Sequence, residues 1–458
     1  MPCLESHSVP PILRLALTAM CVAGSLGAYA DALPANVTAS IRARIEAIDN
    51  TGIAIGVVRN GDTTFQGFGH TVRPDGPAPD EDTVFEIGSI TKVFTALLLS
   101  DLVEQGKLTL DTPVADLLPE GASPPLRDKK PITLRMLAAH ASGLPRLPDN
   151  LNPSDHGNPY GDYTVERLYD FLRRCSIPGD AAPYTYSNLG YGLLGHALGL
   201  AEGRSFERMV AEHITARLRM IDTRAALTPD MRRRLAHGHK GPVPVPGWTM
   251  PVLTGAGGLH STVRDLSALL AAFLGRGETA LRGAMDAMLE EQGPSDAPSV
   301  RMCLGWHRLG QGRDAIYWQN GGTGGCNGFI GFAPSRGLGV AVLTNSTDSV
   351  DDIGLHLIDP SIPLRKPWRR YPVDDAWLHA CAGRYRFAPG VILETEVVEG
   401  ILTAKLNDQP RYPVYPVTAT RFAYRAVPAE LAFEKDDKGD VIAVTLHQDE
   451  EEQRGVRE

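Results

Sequence analysis

Lys92 constrains this chain more than any other residue. It stands three positions after Ser89 on a segment that also carries Val93, Phe94, Leu97, Leu98, Leu99, Leu102 and Val103. Apolar residues on nearly every side predict a helix over about 89–105 that is buried on most faces, with Gly106 suited to its C-terminal cap. Residues three apart share a helix face, so Ser89 and Lys92 lie side by side. Burial disfavours an ammonium, so the lysine reads as a general base and the serine as its nucleophile. The strand-like run Val84-Phe85-Glu86-Ile87 leads into Gly88-Ser89. That places the serine at a helix N-terminus, where backbone N–H groups favour developing negative charge.

The elements around this helix set the fold class. Residues 53–68 read as a hairpin turning at Asn60-Gly61, the strongest short hairpin signal. Residues 108–219 read as helical with long loops, with helices expected at 133–139, 164–174, 190–201 and 206–218. From Arg301 the pattern changes to strands at 303–306, 316–318, 329–332 and 340–343. Strand, helix and strand again imply that the chain returns to one sheet, in an α/β fold. A proline-rich linker follows at 359–372. Short strands at 391–398, 401–406, 421–424, 431–433 and 441–446 then suggest a small all-β barrel-like domain over 373–458. That domain is expected to fold independently, so a chain ending near Pro360 keeps its reactive serine.

Composition narrows the function classes. The formal net charge is -9, no basic run stands out and the tail Asp449-Glu450-Glu451-Glu452 is acidic. Nucleic acid and anionic membrane surfaces are therefore not expected partners. Residues 15–27 are apolar and lead to Ala28-Tyr29-Ala30, a secretory signal over 1–30 cleaved before Asp31. The mature chain is thus expected to be exported, periplasmic or secreted. The apolar stretch is too short for a stable membrane span. Cys175, Cys303, Cys326 and Cys381 remain after cleavage, and no pairing is assigned to them. No Cys-x-x-Cys, His-Glu-x-x-His or Gly-x-Ser-x-Gly motif occurs, so no metal or other cofactor is expected.

Two further stretches complete a constellation. Tyr186-Ser187-Asn188 lies in a proline-bracketed loop, where Tyr186 is suited to relay a proton, its phenol acidified by Lys92, and Asn188 to hydrogen-bond a substrate amide or hold Lys92. Gln319-Asn320-Gly321-Gly322 precedes a strand, and glycines there let backbone approach a substrate. The N–H groups of Ser89 and Gly322 are expected to form an oxyanion hole.

The three motifs in this order resemble those of the serine beta-lactamase and penicillin-binding-protein superfamily. The resemblance is to the branch of class C beta-lactamases, D-alanyl-D-alanine carboxypeptidases and esterases. Leu137-Ala138-Ala139-His140-Ala141-Ser142-Gly143-Leu144-Pro145 resembles that branch's "LLxHTSGLP" loop, and the run from Tyr186 resembles "YSNxGYxLLG". The resemblance covers roughly residues 35–357, so the hydrolase domain is taken as 31–358, and it implies a beta-lactamase/transpeptidase-like fold, an antiparallel sheet flanked by helices plus a helical subdomain. The C-terminal region resembles, more loosely, the lipocalin-like domain that trails such enzymes. It implies Ser89, Lys92 and Tyr186 as catalytic residues and Asn188, Gln319, Asn320 and Gly321 as substrate-binding. His140 reads as structural.

The chain departs from the family in its third motif, where Asn320 replaces the hydroxyl residue often found second and the first position differs more consequentially. The family begins its third motif with Lys or His, and Gln319 is a neutral amide that cannot attract a carboxylate as a cation would. The expected function is an exported serine hydrolase that forms an acyl-serine on D-alanyl peptides, esters or beta-lactams. The alternatives are a non-hydrolytic module that binds cell-wall peptide, and a carboxylesterase with negligible beta-lactamase activity.

Overall fold

The computed structural model describes residues 33–425, 427–449 and 451–458. The expected secretory segment, residues 1–30, lies outside these. Helix α1 (Ala35–Glu46) leads into β1 (Gly52–Arg59) and β2 (Asp62–Gly69). Their two-residue turn has Asn60 at φ 53° and Gly61 at φ 103°, both left-handed, which matches the twist of the paired strands. Helix α2 (Thr91–Glu104) follows a short turn of 3₁₀ helix at Gly88–Ile90.

The chain then runs through helices at Leu134–Ala138, Val165–Arg174, α3 (Asn188–Glu202) and Phe206–Met209, the last continuing through a π-helical stretch at Val210–Thr215, and returns through α4 (Val263–Phe273). Six strands complete the main sheet: β3 (Gly293–Pro294), β4 (Val300–Met302), β5 (His307–Leu309), β6 (Ile316–Gly322), β7 (Asn327–Ala333) and β8 (Leu338–Thr344). The order is β2-β1-β8-β7-β6-β5-β4-β3, so the N-terminal hairpin pairs with the last strand and closes the sheet around the helical excursion.

Helix α2 is the centre of the packing. Every residue from Thr91 to Leu102 is buried. It packs against α3, the Thr254–Gly257 turn and the Arg282–Met288 helix. Its all-round apolarity therefore reflects burial on all sides rather than amphipathic docking on one. One continuous core joins it to α4, Ile330, Phe332, Ala341 and Leu343 of the sheet, and Trp306.

The segment Cys303-Leu304-Gly305-Trp306, expected as a strand, is instead the turn between β4 and β5. Gly305 has φ 75°, and a side chain there would meet Ala96 and the carbonyl of Lys92. The segment is apolar because it folds over α2, and burial alone does not distinguish such a turn from a strand.

After α5 (Asp351–Ile358) and α6 (Asp375–Cys381), eight strands close into an antiparallel barrel. They are β9 (Gly383–Ala388), β10 (Val391–Val398), β11 (Ile401–Leu406), β12 (Tyr412–Pro416), β13 (Arg421–Tyr424), β14 (Ala429–Lys435), β15 (Val441–Gln448) and β16 (Glu451–Arg457). Tyr385, Leu393, Leu402, Phe422, Leu431 and Phe433 belong to a second core separate from the first. Strands β9, β12 and β16 were not anticipated. The stretch that reads as an acidic tail leads into β16, which pairs with β15 and closes the barrel onto β9. Its charges face outward and are matched across the sheet, as in the Arg454–Glu434 pair at 2.8 Å.

The two bodies meet through ions rather than a shared core. The fully buried Asp49 carboxylate accepts from the Trp368 N–H at 3.0 Å and pairs with Arg425 of the barrel at 3.1 Å and Arg365 at 3.8 Å. Arg425 also reaches Asp348 at 3.6 Å and stacks over Tyr415 at 3.6 Å. The segment 359–372 is thus pinned to the catalytic body rather than acting as a free tether. Ending the chain at Pro360 strips two cations from a buried carboxylate. It is expected to destabilise the catalytic body by about 3–5 kcal/mol, typical of breaking a buried ion pair. Thermal melts of the full and shortened chains test this. The shortened chain melts lower, and Asp49→Asn narrows the gap. Equal melting of the full and shortened chains contradicts it.

Candidate active site

The site forms where the N-terminus of α2, the loop before α3 and the end of β6 converge. Backbone contact governs the approach of β6. A side chain on Gly88 would lie 2.7 Å from the nitrogen of Gly322, and one on Gly321 would lie 2.0 Å from the Ile87 carbonyl and 2.8 Å from the Ser89 nitrogen. Gly88 also has φ 49°. Only glycine permits both the turn and the contact. The backbone nitrogens of Ser89 and Gly322 are thereby brought to one end of the cleft.

Lys92 is 1% exposed. Its Nζ lies 2.8 Å from Ser89 Oγ, 2.9 Å from Asn188 Oδ1 and 2.6 Å from the Ala256 carbonyl. Burial holds its pKa well below the ordinary lysine value, and the nearby Arg146 charge lowers it further. A neutral amine has two N–H donors and one lone pair. The two carbonyl oxygens can only accept, so they take the donors. The lone pair is left for the Ser89 hydroxyl, which is the arrangement a general base requires.

Tyr186 completes the chain by donating its hydroxyl to Ser89 Oγ at 2.8 Å. Its pKa is raised by burial, against smaller opposing effects of the Ser89 hydrogen bond and Arg146. The sequence suggests a phenol acidified by Lys92. The structure corrects this, because desolvation outweighs the nearby charge and Lys92 is itself held towards neutrality. Tyr186 is therefore a proton donor, and the three groups form one directed chain, Tyr186 O–H to Ser89 O–H to Lys92 Nζ.

His140 braces this arrangement. Its ring stacks on Tyr186 with centroids 4.4 Å apart, and its Nδ1 accepts from the Ser187 N–H at 3.0 Å. Burial depresses its pKa well below the ordinary histidine value. Ser187 caps α3 through Oγ, which accepts from the Gly190 N–H and donates to the Pro145 carbonyl. The loop that holds Asn188 is fixed from both sides.

Two of the expected substrate contacts do not face the cleft. Gln319 is 2% exposed, with its Oε1 accepting from His307 Nδ1 at 2.9 Å and its Nε2 donating to the Ser89 carbonyl at 3.3 Å. It braces the backbone of the nucleophile. Asn320 donates to Asp351 of α5 at 2.7 Å. Successive strand side chains alternate faces, so with Gln319 turned towards Ser89, Asn320 is directed to the far side. Gly321 contributes close backbone packing.

Three residues that sequence reasoning passed over also shape the site. His307 stacks on Trp318 with centroids 4.5 Å apart and orients Gln319. Glu86 accepts from the Trp248 N–H at 2.7 Å and from Thr323 Oγ1, tying the loop after Gly322 to the strand before Ser89. Burial pushes its carboxyl pKa up. Arg146 follows Pro145 directly, and its guanidinium stacks over the Tyr186 ring at 4.9 Å. Among the described residues no group of His, Cys, Asp and Glu is arranged to hold a metal. Cys175, Cys303, Cys326 and Cys381 are free thiols.

Comparison with known proteins places this geometry. Residues 37–358 match the family model described as Beta-lactamase. The chain belongs to the beta-lactamase family. It is 29% identical over 332 residues to the D-alanyl-D-alanine-carboxypeptidase/endopeptidase AmpH of Escherichia coli (strain K12), a match covering 66% of this chain and 84% of that protein. It is 27% identical to penicillin-binding protein 4 of Amycolatopsis lactamdurans, over 69% of this chain and 87% of the relative. The class C beta lactamase of Rhodobacter sphaeroides superposes with a TM-score of 0.61 at 28% identity, over 71% of this chain and 97% of that one. The octameric penicillin-binding protein homologue from Pyrococcus abyssi superposes with a TM-score of 0.62 at 23% identity, over 92% of this chain and 99% of that one. At that identity it speaks for the fold alone, and a match of that extent reaches into the C-terminal region. The family is one of serine hydrolases, and among the described residues no helix is long and apolar enough to cross a membrane.

The hydrogen-bonded chain makes Lys92 and Tyr186 one proton-transfer unit. Lys92→Ala or Tyr186→Phe is each expected to lower kcat by several orders of magnitude, and the double variant by little more, as for groups that act together. A double-mutant cycle on an activated ester checks this, and additive losses contradict it.

Proposed function

We propose that this protein is an exported serine hydrolase that works through an acyl-Ser89 intermediate on D-alanyl peptides and related esters. The observation that carries the reading is the directed chain Tyr186–Ser89–Lys92, with hydrogen-bond distances of 2.8 Å on both sides of Ser89 Oγ. As Ser89 Oγ attacks a carbonyl, its proton passes to Lys92 Nζ. The new oxyanion is held by the N–H groups of Ser89 and Gly322. The leaving group takes its proton from Tyr186, which is re-protonated from Lys92. Water then attacks the acyl-enzyme, gives its proton to the same unit and releases Ser89.

The D-alanyl class is supported by likeness to a carboxypeptidase/endopeptidase and to a penicillin-binding protein. A carboxylesterase with little beta-lactamase activity is the second reading. Its support is Gln319, neutral and buried where relatives of the resembling branch carry a cation. A binding module without turnover has less support, because it has no need for a complete proton chain. Export is supported by the apolar run at 15–27 and the small residues Ala28 and Ala30.

Labelling of the exported protein with a fluorophosphonate, followed by intact and peptide mass analysis, tests both parts. The expected result is one adduct on Ser89, absent from Ser89→Ala, on a chain that begins at Asp31. An adduct on another serine overturns the nucleophile, and an uncleaved chain overturns export.

A further inference from the structure

The cleft has a cation, although Gln319 is not it. The Arg146 side chain is exposed, and among the described residues it forms no hydrogen bond or ion pair. Its guanidinium carbon lies over the ring of Tyr186, 4.9 Å from the centroid. That ring also borders Lys92, whose Nζ lies 5.0 Å from the same centroid. The charge of Arg146 reaches Lys92, Tyr186, His140 and Tyr160, so it sits amid the catalytic groups.

The backbone beneath this cation is fixed. The Arg146 carbonyl accepts from the N–H groups of Asn188 at 3.0 Å and Leu189 at 3.2 Å, and the preceding Pro145 carbonyl accepts from Ser187 Oγ at 2.7 Å. The loop that presents the guanidinium is therefore latched to the residue that holds Lys92. An arginine on a mobile surface loop has no such anchor. Other cations nearby are committed. Lys92 faces Ser89, Asn188 and Ala256, while Arg127 donates to the carbonyls of Ala141, Ala181 and Ala182.

We propose that the Arg146 guanidinium is the carboxylate-binding group of this site, so that the enzyme selects acyl donors whose leaving group carries a free carboxylate. This rests on the acyl-serine reading above. The cation stands not in the strand β6 motif but on the loop after the Leu134–Ala138 helix, whose backbone is hydrogen-bonded to the N-terminus of α3. A planar guanidinium stacked on an aromatic face keeps its N–H edge free for a two-pronged contact with a carboxylate. The stack also orders the long side chain before substrate arrives.

The test compares two thioesters, acetyl-D-alanyl-thioglycolate and its thioglycolamide, which differ only in the terminal carboxylate. The readout is the ratio of their kcat/KM values, measured by released thiol. Wild type is expected to favour the carboxylate by about 10–100-fold, the range for one charge-assisted contact. Arg146→Gln is expected to bring the ratio to within about threefold of unity, and Arg146→Lys to keep part of it. A ratio near one in wild type, or an undiminished ratio in Arg146→Gln, overturns the proposal.

A second measurement does not need either thioester to turn over. S-methylthioglycolate, which keeps the carboxylate of the leaving group, is expected to inhibit hydrolysis of p-nitrophenyl acetate by wild type more strongly than its amide, with the difference lost in Arg146→Gln. Equal inhibition by the two compounds overturns the proposal. Fluorophosphonate labelling of Ser89 separates the failures. Labelling without carboxylate preference removes the role of Arg146 alone, and absent labelling removes the acyl-serine reading beneath it.

Discussion

The rest of the structure is arranged around one buried amine. Lys92 is enclosed by α2, α3 and the Thr254–Gly257 turn, and its Nζ is within 2.9 Å of three oxygens. Burying a lysine as an ammonium is unfavourable, and a protein relieves this by shifting the group towards its neutral form. Here the relief is also the chemistry, since the neutral amine is the base that the serine requires. The surrounding core provides the desolvation. The all-round burial of α2 is therefore a catalytic feature as much as a packing one.

The same constraint explains the polar groups nearby. Asn188 and the Ala256 carbonyl meet the two N–H donors, leaving the lone pair directed at Ser89. Tyr186 is held neutral by burial, and His140 and Arg146 contact its ring. Gln319 and His307 fix the carbonyl side of Ser89, while Gly88 and Gly321 let strand β6 approach the N–H side. Each contact limits where the nucleophile can sit, and placement within a fraction of an ångström is what makes such a site effective.

Much of this was legible in the sequence because it is local. The Asn60-Gly61 turn, the apolar run after Ser89 and the three-residue spacing to Lys92 are set by neighbours along the chain. Side-chain direction at the end of β6 is not local. Whether Gln319 or Asn320 faces Ser89 depends on register with β5 and β7, and the polar character of both residues gives no hint. The apolar stretch Cys303–Trp306 reads as a strand because burial by α2 imitates strand patterning. Strand β16 is hidden by its charges, which pair across the barrel surface. The role of Asp49 depends on cations more than 300 residues away in the chain. Arg146 adjoins a matched motif but lies outside it, and only its position over Tyr186 distinguishes it from an ordinary surface arginine.

The central claim is that Lys92 is held neutral and so serves as the base. An NMR titration of protein carrying ¹³C at lysine Cε measures this directly, with the Lys92 signal assigned by its loss in Lys92→Met. The account predicts that Lys92 titrates well below the ordinary value of 10.5 and is uncharged where exposed lysines are fully protonated. A Lys92 signal that stays protonated up to the ordinary lysine range would contradict the account.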